Sequence, residues 1–195
     1  LSNSMILITG ATGTNGQEVI KQLADKGIKV RALVRNLEKG EALKAFGAEL
    51  VEGDFANPSS LDAALQGIDK ALMLPPIAPD AVELQKNFIE AAKKAGTRYI
   101  VKFSAIGADP ASPMRLGRWH GDAEQLLAES GIAYCTLRPN GFMQNFLAFG
   151  SSIANQGVFA QPGGQSSISH IDVRDIAAAI VETLLDDSVH AGKAY

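Results

Sequence analysis

Hydrophobic and polar positions alternate along the chain between two periodicities. A continuous apolar run at residues 5–9 predicts a strand buried on both faces, and further strands are predicted at residues 29–34, 49–52, 71–74, 99–103 and 133–137. Between them, apolar residues recur every three to four positions, which predicts helices over 17–26, 37–46, 57–66, 80–95 and 114–129. Strands that alternate with helices in this way favour parallel strands joined by right-handed crossovers. We therefore predict an α/β fold with a doubly wound parallel sheet.

The pattern changes after residue 138. Residues 140–154 look helical, 157–169 are glycine-rich and loop- or strand-like, and 172–185 predict a helix in which Asp172 is the cap and Asp175 stands close to a capping-box position. We therefore predict one domain over 5–138 and a smaller, apparently truncated substrate-side appendage over 139–195 that partly returns to the sheet. Residues 1–4 precede Met5 and are interpreted as a cloning remnant.

Composition and charge narrow the function classes. The chain of 195 residues is 46% hydrophobic and 20% charged, which is ordinary for a globular protein. A net charge of −3 without a Lys/Arg run argues against nucleic-acid binding. No run reaches the roughly 18 apolar residues of a membrane span, and no signal peptide is visible, so we expect no membrane association and a cytoplasmic setting. The single cysteine, Cys135, excludes an internal disulfide, and no zinc-ligand spacing is present, so we expect no metal site.

Three glycines separate the first predicted strand from the first helix. Gly10, Gly13 and Gly16 have the spacing G-x-x-G-x-x-G, with Thr12, Thr14 and Asn15 between them. In this context glycines permit a tight turn, a close approach to a pyrophosphate and close packing of helix on strand. The alternative is an ordinary strand-to-helix turn. We favour a dinucleotide site, and with it a Rossmann-type sheet.

The end of the second strand indicates which nucleotide binds. A carboxylate there would hold the ribose 2′-hydroxyl of NAD, but this chain has Arg35, and Lys39 lies one turn into the next helix. Arginine suits a 2′-phosphate, so we predict NADP(H), with NAD as the alternative. The competing interpretation is two solvated surface cations. After the third strand, Asp54 either accepts from the adenine amino group or serves as a helix or turn cap, and Phe55 would supply an apolar edge to the adenine.

Taken together, these motifs resemble the NmrA-like family of atypical short-chain dehydrogenases, nearest its NAD(P)H:quinone oxidoreductase and triphenylmethane-reductase branch. The residues that carry the resemblance are the glycine motif, Arg35, Gly53-Asp54-Phe55, Leu74-Pro75-Pro76, "LRPNGFMQN" at 137–145 and "SHIDVRDIAAAIV" at 169–181. The resemblance implies cofactor contacts from Leu74, Pro75, Pro76 and Asn140. Members of the family usually continue for several dozen residues beyond a segment such as "GKAY".

The catalytic Tyr-x-x-x-Lys of short-chain dehydrogenases is replaced in this chain. Ser104 follows the fifth strand, and the next helix carries His120 and Glu124, which share one helix face. His120 is a candidate proton donor because its pKa is expected near neutrality, and Glu124 would orient it or raise its pKa. Ser104 is a candidate wall of the nicotinamide site. The alternatives are a solvent-facing His-Glu pair and a strand-end cap.

A flat, easily reduced acceptor suits a site without that tyrosine. A hydroquinone anion is far less basic than an alkoxide, so its formation needs little acid catalysis. Phe142, Met143 and Phe146 would line an apolar slot, although helix packing is the alternative for the last two. For His170 and Asp172 we favour capping and core roles.

Two functions remain open. The first is an NADPH-dependent oxidoreductase that reduces a quinone-like small molecule. The second is a non-catalytic NADP(H) sensor that reports to a protein partner, as NmrA-type regulators do. The chain would act as a homodimer or, if a sensor, with such a partner. We lean towards the enzyme.

Overall fold

The computed structural model describes residues 5–160, 164–165 and 167–195. Six parallel strands form one sheet in the order β3-β2-β1-β4-β5-β6. This arrangement confirms the predicted α/β class and the doubly wound, Rossmann-type sheet. The proposed remnant at 1–4 lies outside the described residues. The strands are β1 Met5–Ile8, β2 Val30–Val34, β3 Glu49–Glu52, β4 Ile68–Met73, β5 Tyr99–Phe103 and β6 Ala133–Leu137.

Helices cover both faces of the sheet. One face packs against α1 and α7, and the other against α3, α4 and α5. A short helix α2 continues into a 3-10 helix, Glu41–Phe46, after β2, and α8 follows α7. The α-helices are α1 Thr14–Asp25, α2 Leu37–Gly40, α3 Pro58–Ala64, α4 Ala81–Ala95, α5 Arg115–Glu129, α6 Gly150–Gln156, α7 Val173–Leu185 and α8 Asp187–His190.

Alternation of side chains between the two faces explains why the central strands are mostly apolar. In β1, Ile6 and Ile8 join the core under α1 and α7, whereas Leu7 joins the core under α3, α4 and α5. In β5, Tyr99 and Val101 point to the first core and Ile100 to the second. Because successive side chains leave a strand on opposite faces, both faces must be apolar when both are covered.

The start of β4 was predicted three residues too late. The strand begins at Ile68, and the polar Asp69 and Lys70 hid its first half. Lys70 is nevertheless buried, because its ammonium group donates to the carbonyl of Leu184 at 2.9 Å and to Asp187 at 2.6 Å. A buried lysine with these partners caps the carboxyl end of α7 and is compatible with a strand interior.

The predicted helix over 140–154 is partly wrong. Gly141–Phe142 forms a two-residue strand, β7, that pairs in parallel with β8, His170–Ile171. A 3-10 helix, Met143–Phe149, and α6 follow β7. A pair this short depends on a segment 29 residues away (Gly141 on His170), so local periodicity could not indicate it. Of the predicted loop over 157–169, residues 161–163 and 166 lie outside the described ones.

The last predicted helix is present and capped as expected. Asp172 accepts the amide of Arg174 at 2.8 Å and begins α7, which packs into the main core through Ile176 and Ile180. The chain then returns to the sheet edge, where the amide of Thr136 donates to the carbonyl of Lys193 at 3.0 Å. The proposed boundary between 138 and 139 stays a prediction. No helix within the described ranges combines the length and apolar character of a membrane span.

Candidate active site

The crevice between β1 and β4 is where the strand order reverses. The chain adds β2 and β3 on one side of β1 and then crosses to place β4 on the other side. Thr9 joins the two strand ends, because its hydroxyl donates to the carbonyl of Leu72 at 3.0 Å and accepts the amide of Leu74 at 2.8 Å. Ligands bind open α/β sheets outside the carboxyl ends of the strands at such a reversal.

The glycine loop after β1 has no room for a side chain at Gly10 or Gly16. Gly10 has a φ of +58°, and a Cβ there would lie 2.8 Å from the Cβ of Leu74. A Cβ on Gly16 would lie 2.3 Å from the carbonyl oxygen of Gly10. A tight turn and close packing of α1 on β1 therefore require glycine at both positions. The expected roles of these two glycines agree with the geometry.

The start of α1 is prepared for an anion. Gly13 is the N-cap, so no side chain caps the helix, and no acidic residue stands in its first turn. Asn15 Oδ1 is buried without a hydrogen-bond partner among the described residues. Thr12 and Thr14 are exposed beside the loop. Uncapped amides and the positive end of the helix dipole favour a phosphate here, so the residues present fit a dinucleotide.

An open cavity of about 560 Å³ lies on this loop. A second cavity of about 380 Å³ adjoins it, since Thr12 and Arg35 line both. The structure thus brings together most of the predicted cofactor residues. The first cavity is lined by Gly10, Thr12, Gly13, Thr14, Asn15, Gly16, Arg35, Asp54, Phe55, Leu74, Pro75 and Pro76, among others, and the second by Thr12, Arg35, Asn36 and Lys39.

The second cavity presents two cations and a positioned backbone. Asn36 Oδ1 accepts the amide of Lys39 at 3.2 Å and so caps α2. This cap fixes the turn that carries Arg35 and Lys39 at the carboxyl end of β2. Both cationic side chains are exposed at the cavity. A group with two negative charges would find complementary charge at this place.

Asp54 and Phe55 serve the fold as well as the cavity. Asp54 Oδ1 accepts the amide of Ala56 at 2.9 Å, which closes the turn after β3. Phe55 is 6% exposed and stacks on Phe88, with ring centroids 4.9 Å apart. The turn-cap interpretation of Asp54 therefore holds, the packing of Phe55 on Phe88 was not predicted, and both residues line the first cavity.

A carboxylate ties three elements together beside the crevice. Glu124 on α5 accepts the hydroxyl of Ser104, directly after β5, and pairs with the guanidinium of Arg138, directly after β6. The Nε of Arg138 donates to the same Glu124 at 3.1 Å. The hydroxyl hydrogen of Ser104 is thereby committed to Glu124, so towards a ligand Ser104 offers acceptor lone pairs.

His120 lies in a different environment from the one expected. It is only 8% exposed, and its Nδ1 lies 3.3 Å from the ammonium of Lys102. Burial and, to a smaller extent, the charge of Lys102 lower the pKa of His120 to about 4, although Glu124 acts in the opposite direction. The expectation of a pKa near neutrality, raised by Glu124, is therefore wrong, and so is the solvent-facing pair. Glu124 contacts Ser104 and Arg138 instead.

The residues that follow β6 differ in their contacts and in their exposure to solvent. Asn140 Nδ2 donates to Ser169 at 2.7 Å, while its Oδ1 accepts the amide of Gly141 at 2.9 Å. Phe142 packs edge-on against Phe103 in the core. Met143 is 52% exposed. The cavities on the glycine loop do not include Asn140 among their lining residues.

Sequence reasoning missed three contributors to this region. Thr9, Lys102 and Arg138 were assigned no role. A lysine inside the apolar strand "YIVKF" is the one signal that was available, because a buried lysine requires partners. Within the described ranges, no group of three or more His, Cys, Asp or Glu residues is arranged to hold a metal ion.

The model of the NmrA-like family matches residues 2–194 of this chain. The chain belongs to the NmrA-like family. This chain is 41% identical to an NAD(P)H azoreductase of Xenophilus azovorans over 191 aligned residues. The aligned residues make up 98% of this chain and 66% of that enzyme. This chain thus spans about two thirds of the length of such relatives.

Similarity to solved structures agrees with this family assignment. The NADPH complex of the quinone oxidoreductase QOR2 of Escherichia coli is similar with a TM-score of 0.88 and 35% identity, covering 98% of this chain and 68% of that one. The NADP(H) complex of triphenylmethane reductase of Citrobacter sp. gives a TM-score of 0.86 and 28% identity, covering 97% and 68%. The resemblance inferred from the motifs, to the quinone-oxidoreductase and triphenylmethane-reductase branch, is confirmed.

Proposed function

We propose that this chain is an NADPH-dependent oxidoreductase that transfers a hydride to a quinone or a similar flat acceptor. The observation that carries the proposal is the continuous pair of cavities that begins at the uncapped start of α1 and ends between Arg35 and Lys39. A cleft of this shape matches a dinucleotide with a phosphate on its adenosine ribose. The similarity to an NADPH-complexed quinone oxidoreductase supports the same cofactor.

Different residues of the chain would bind the different parts of the nucleotide. The amides of the loop 10–16 and the first turn of α1 hold the pyrophosphate. Arg35 and Lys39 bind the 2′-phosphate, and Asp54 and Phe55 border the adenine. Leu74, Pro75 and Pro76 form the wall opposite the glycine loop. Ser104 and Asn140 stand after β5 and β6, where the nicotinamide end would lie. When bound, NADPH supplies the hydride.

The scarcity of proton donors at this edge of the sheet favours acceptors whose reduction leaves a weakly basic anion. Ser104 has its hydroxyl hydrogen committed to Glu124. The helix after β5 carries His120 and Glu124 in place of the Tyr and Lys of short-chain dehydrogenases, and it contains no tyrosine that could donate a proton. A carbonyl whose reduction leaves an alkoxide would lack its usual donor. A quinone, whose reduction leaves a resonance-stabilised phenolate, has much less need of one.

Apolar side chains surround the same edge. Ile77 directly follows Pro76, Ile106 comes two residues after Ser104, and Met143 comes three after Asn140. They are 81%, 61% and 52% exposed, respectively. Large apolar side chains exposed after three adjacent strands indicate a surface that binds an apolar ligand. A flat aromatic acceptor meets this requirement.

Steady-state oxidation of NADPH with a panel of benzoquinones, naphthoquinones and azo dyes tests the proposal. We expect saturable turnover with at least the naphthoquinones and a higher kcat/KM with NADPH than with NADH. If no acceptor supports turnover while NADP⁺ binds, the oxidoreductase is wrong and the sensor takes its place. The sensor shares the nucleotide site, so binding alone does not distinguish the two.

A further inference from the structure

The strongest unexplained feature outside the nucleotide cleft is a lysine buried within the sheet. Lys102, on β5, is 0% exposed. Its Nζ lies 2.8 Å from Gln85 Oε1 on α4 and 3.3 Å from His120 Nδ1 on α5, with the carbonyl of Phe103 at 3.5 Å. A buried cation requires such partners, yet none of these three is a carboxylate. The cost of burying Lys102 without an ion pair calls for a functional explanation.

The orientation of Gln85 fixes the hydrogens of Lys102. Gln85 is 1% exposed, and its Nε2 donates to the carbonyl of Ala81 at 3.0 Å. Its Oε1 therefore faces Lys102 as an acceptor. The carbonyl of Phe103 is a second acceptor, so two of the lysine hydrogens point to oxygen atoms. The third position of Nζ, either a hydrogen or a lone pair, faces His120 Nδ1.

The protonation state of Lys102 thus sets the tautomer of His120. When Lys102 is an ammonium, it donates to Nδ1, and the imidazole hydrogen must be on Nε2. When Lys102 is a neutral amine, its lone pair faces His120 and accepts a hydrogen from Nδ1. The imidazole itself is neutral in both states. Burial keeps it so, because the pKa of His120 falls to about 4.

His120 precedes Glu124 by one turn on α5, and neither residue lines the two cavities on the glycine loop. Glu124, one turn later on α5, already reaches Ser104 after the end of β5. A crossover helix runs antiparallel to the strands, so His120 lies about one turn nearer their carboxyl edge. Since Nδ1 faces the buried lysine, Nε2 is on the side of the ring that points away from it.

We propose that Lys102 and His120 form a proton relay, in which Lys102 supplies the proton and the Nε2 of His120 delivers it to the reduced acceptor. The relay rests on the proposed function. It gives His120 a donor role that it performs without becoming an imidazolium. Lys102 acts through His120 and is a positioning and proton-storing residue.

The step balances in protons and electrons. Reduction by a hydride leaves an oxyanion on the acceptor. The Nε2–H bond of His120 breaks as the acceptor O–H bond forms, and a lysine N–H bond breaks as an Nδ1–H bond forms. Lys102 ends as a neutral amine and His120 as the other neutral tautomer. A hydronium ion of the solvent then gives its proton to Nε2 and becomes water, while Nδ1 returns its proton to Lys102, so the cycle consumes one solvent proton per acceptor reduced.

The charges around the pair suit this exchange. Burial lowers the pKa of Lys102 to about 7, and Glu124 counteracts that effect. Apart from the pair itself, Glu124 on α5 is the charged group that acts on both Lys102 and His120, and Arg138, after β6, is paired with it. From α4, the neutral amide of Gln85 faces the lysine. A lysine that ionises near neutrality can release a proton and regain it at physiological pH.

Nitrogen NMR of the ligand-free protein tests the relay without any turnover. The chain has three histidines, so labelled imidazole nitrogens can be assigned with a His120→Ala variant. Between pH 5.5 and 9 we expect His120 to stay neutral and to change from the Nε2–H to the Nδ1–H tautomer as Lys102 deprotonates, with a midpoint near 7. A single tautomer over this range, or an imidazolium above pH 6, would overturn the relay.

Lys102→Met gives the kinetic arm. We expect its kcat for quinone reduction to fall by about tenfold, which is below the usual range of acid catalysis because the product anion is a weak base, with little change in the KM for NADPH. The wild-type kcat should decline as the pH rises through about 7, and that decline should vanish in Lys102→Met. Lys70→Met is the matched control, a buried lysine held by Asp187 instead, and should keep the wild-type profile.

The two proposals fail separately. A protein that reduces quinones with one fixed His120 tautomer overturns the relay and leaves the function intact. A protein that shows the tautomer change but oxidises no NADPH overturns the function, while the exchange between Lys102 and His120 stands. If Lys102→Met does not fold, the wild-type titration still decides the relay.

Discussion

Gly16 and Gly10 approach each other so closely that a Cβ on Gly16 would lie 2.3 Å from the carbonyl oxygen of Gly10. The same Cβ would also lie 2.8 Å from the Cα of Ala11. Both contacts are with backbone atoms, which cannot rotate away as a side chain can. The close packing of α1 on β1, which aims the first turn of the helix at the crevice, therefore depends on this glycine.

Gly16→Ala should displace the start of α1 and weaken both stability and nucleotide binding. Forcing a methyl group into this contact should cost roughly 1–3 kcal/mol of the free energy of unfolding. Gly150→Ala is the control, because a Cβ there meets nothing within 4 Å and its φ is negative. Urea denaturation with and without NADPH measures both effects. Equal stability and affinity in Gly16→Ala and the wild type would contradict the packing argument.

Arg35→Asp should change the preference between nicotinamide cofactors. The substitution removes a charged partner of the 2′-phosphate and adds a repelling carboxylate, so NADPH affinity should fall by about 10- to 100-fold. NADH has no 2′-phosphate and should bind at least as well as before. Lys93→Asp makes the same charge change at the far end of α4 and should leave the preference unaltered. Isothermal titration with both cofactors gives the comparison, and unchanged NADPH affinity in Arg35→Asp would reject the assignment.

Glu124→Ala should destabilise the edge of the sheet where β5 and β6 end. It leaves the guanidinium of Arg138 and the hydroxyl of Ser104 without their common partner, at a cost of roughly 1–3 kcal/mol. Glu129 is exposed on the same helix, where it accepts from Gln125, and Glu129→Ala should cost less than about 0.5 kcal/mol. Thermal unfolding of both variants decides whether Glu124 is structural, and similar losses would show that it is not.

The free energy of unfolding should rise with pH above neutrality because of Lys102. Its pKa is about 7 in the folded protein and near 10.4 in the unfolded chain, so between these values the unfolded state binds more protons. Stability therefore increases as the pH rises through this window. Urea denaturation at pH 7 and pH 9 should show the increase in the wild type and not in Lys102→Met. If the free energy of unfolding of the wild type does not change between pH 7 and pH 9, burial does not lower the pKa of Lys102 as described.

The strand periodicity anticipated most of the sheet, and the reason is burial. The bounds of β3, β5 and β6 agree with the predicted ranges at both ends. A strand covered on both faces, such as β1, needs an unbroken apolar run, and such a run is visible without knowledge of its neighbours. The edge strand β3 is different, because its two end residues, Glu49 and Glu52, are exposed. In β4 the run is interrupted by Lys70, which is buried through a helix end more than 100 residues later, and so the prediction began too late.

The active site was predictable where it depends on one local segment. The glycine loop, Arg35 and Lys39 lie within single turns, so spacing alone places them at the same edge of the sheet. The environment of His120 depends on Lys102, 18 residues earlier, and on Gln85, on another helix. Helical spacing correctly put His120 and Glu124 on one face, yet it could not show that the carboxylate contacts Ser104 and Arg138.

Calorimetric titration of the protein with NADPH tests the central claim most directly. The account predicts a saturable signal with one site per chain and a dissociation constant in the micromolar range or below, about −8 kcal/mol or more favourable. A rise in the melting temperature with NADPH should accompany it, because a ligand that binds only the folded state stabilises it. Absence of both binding heat and thermal stabilisation with NADPH, NADP⁺, NADH and NAD⁺ alike would contradict the nucleotide site and all that has been built on it.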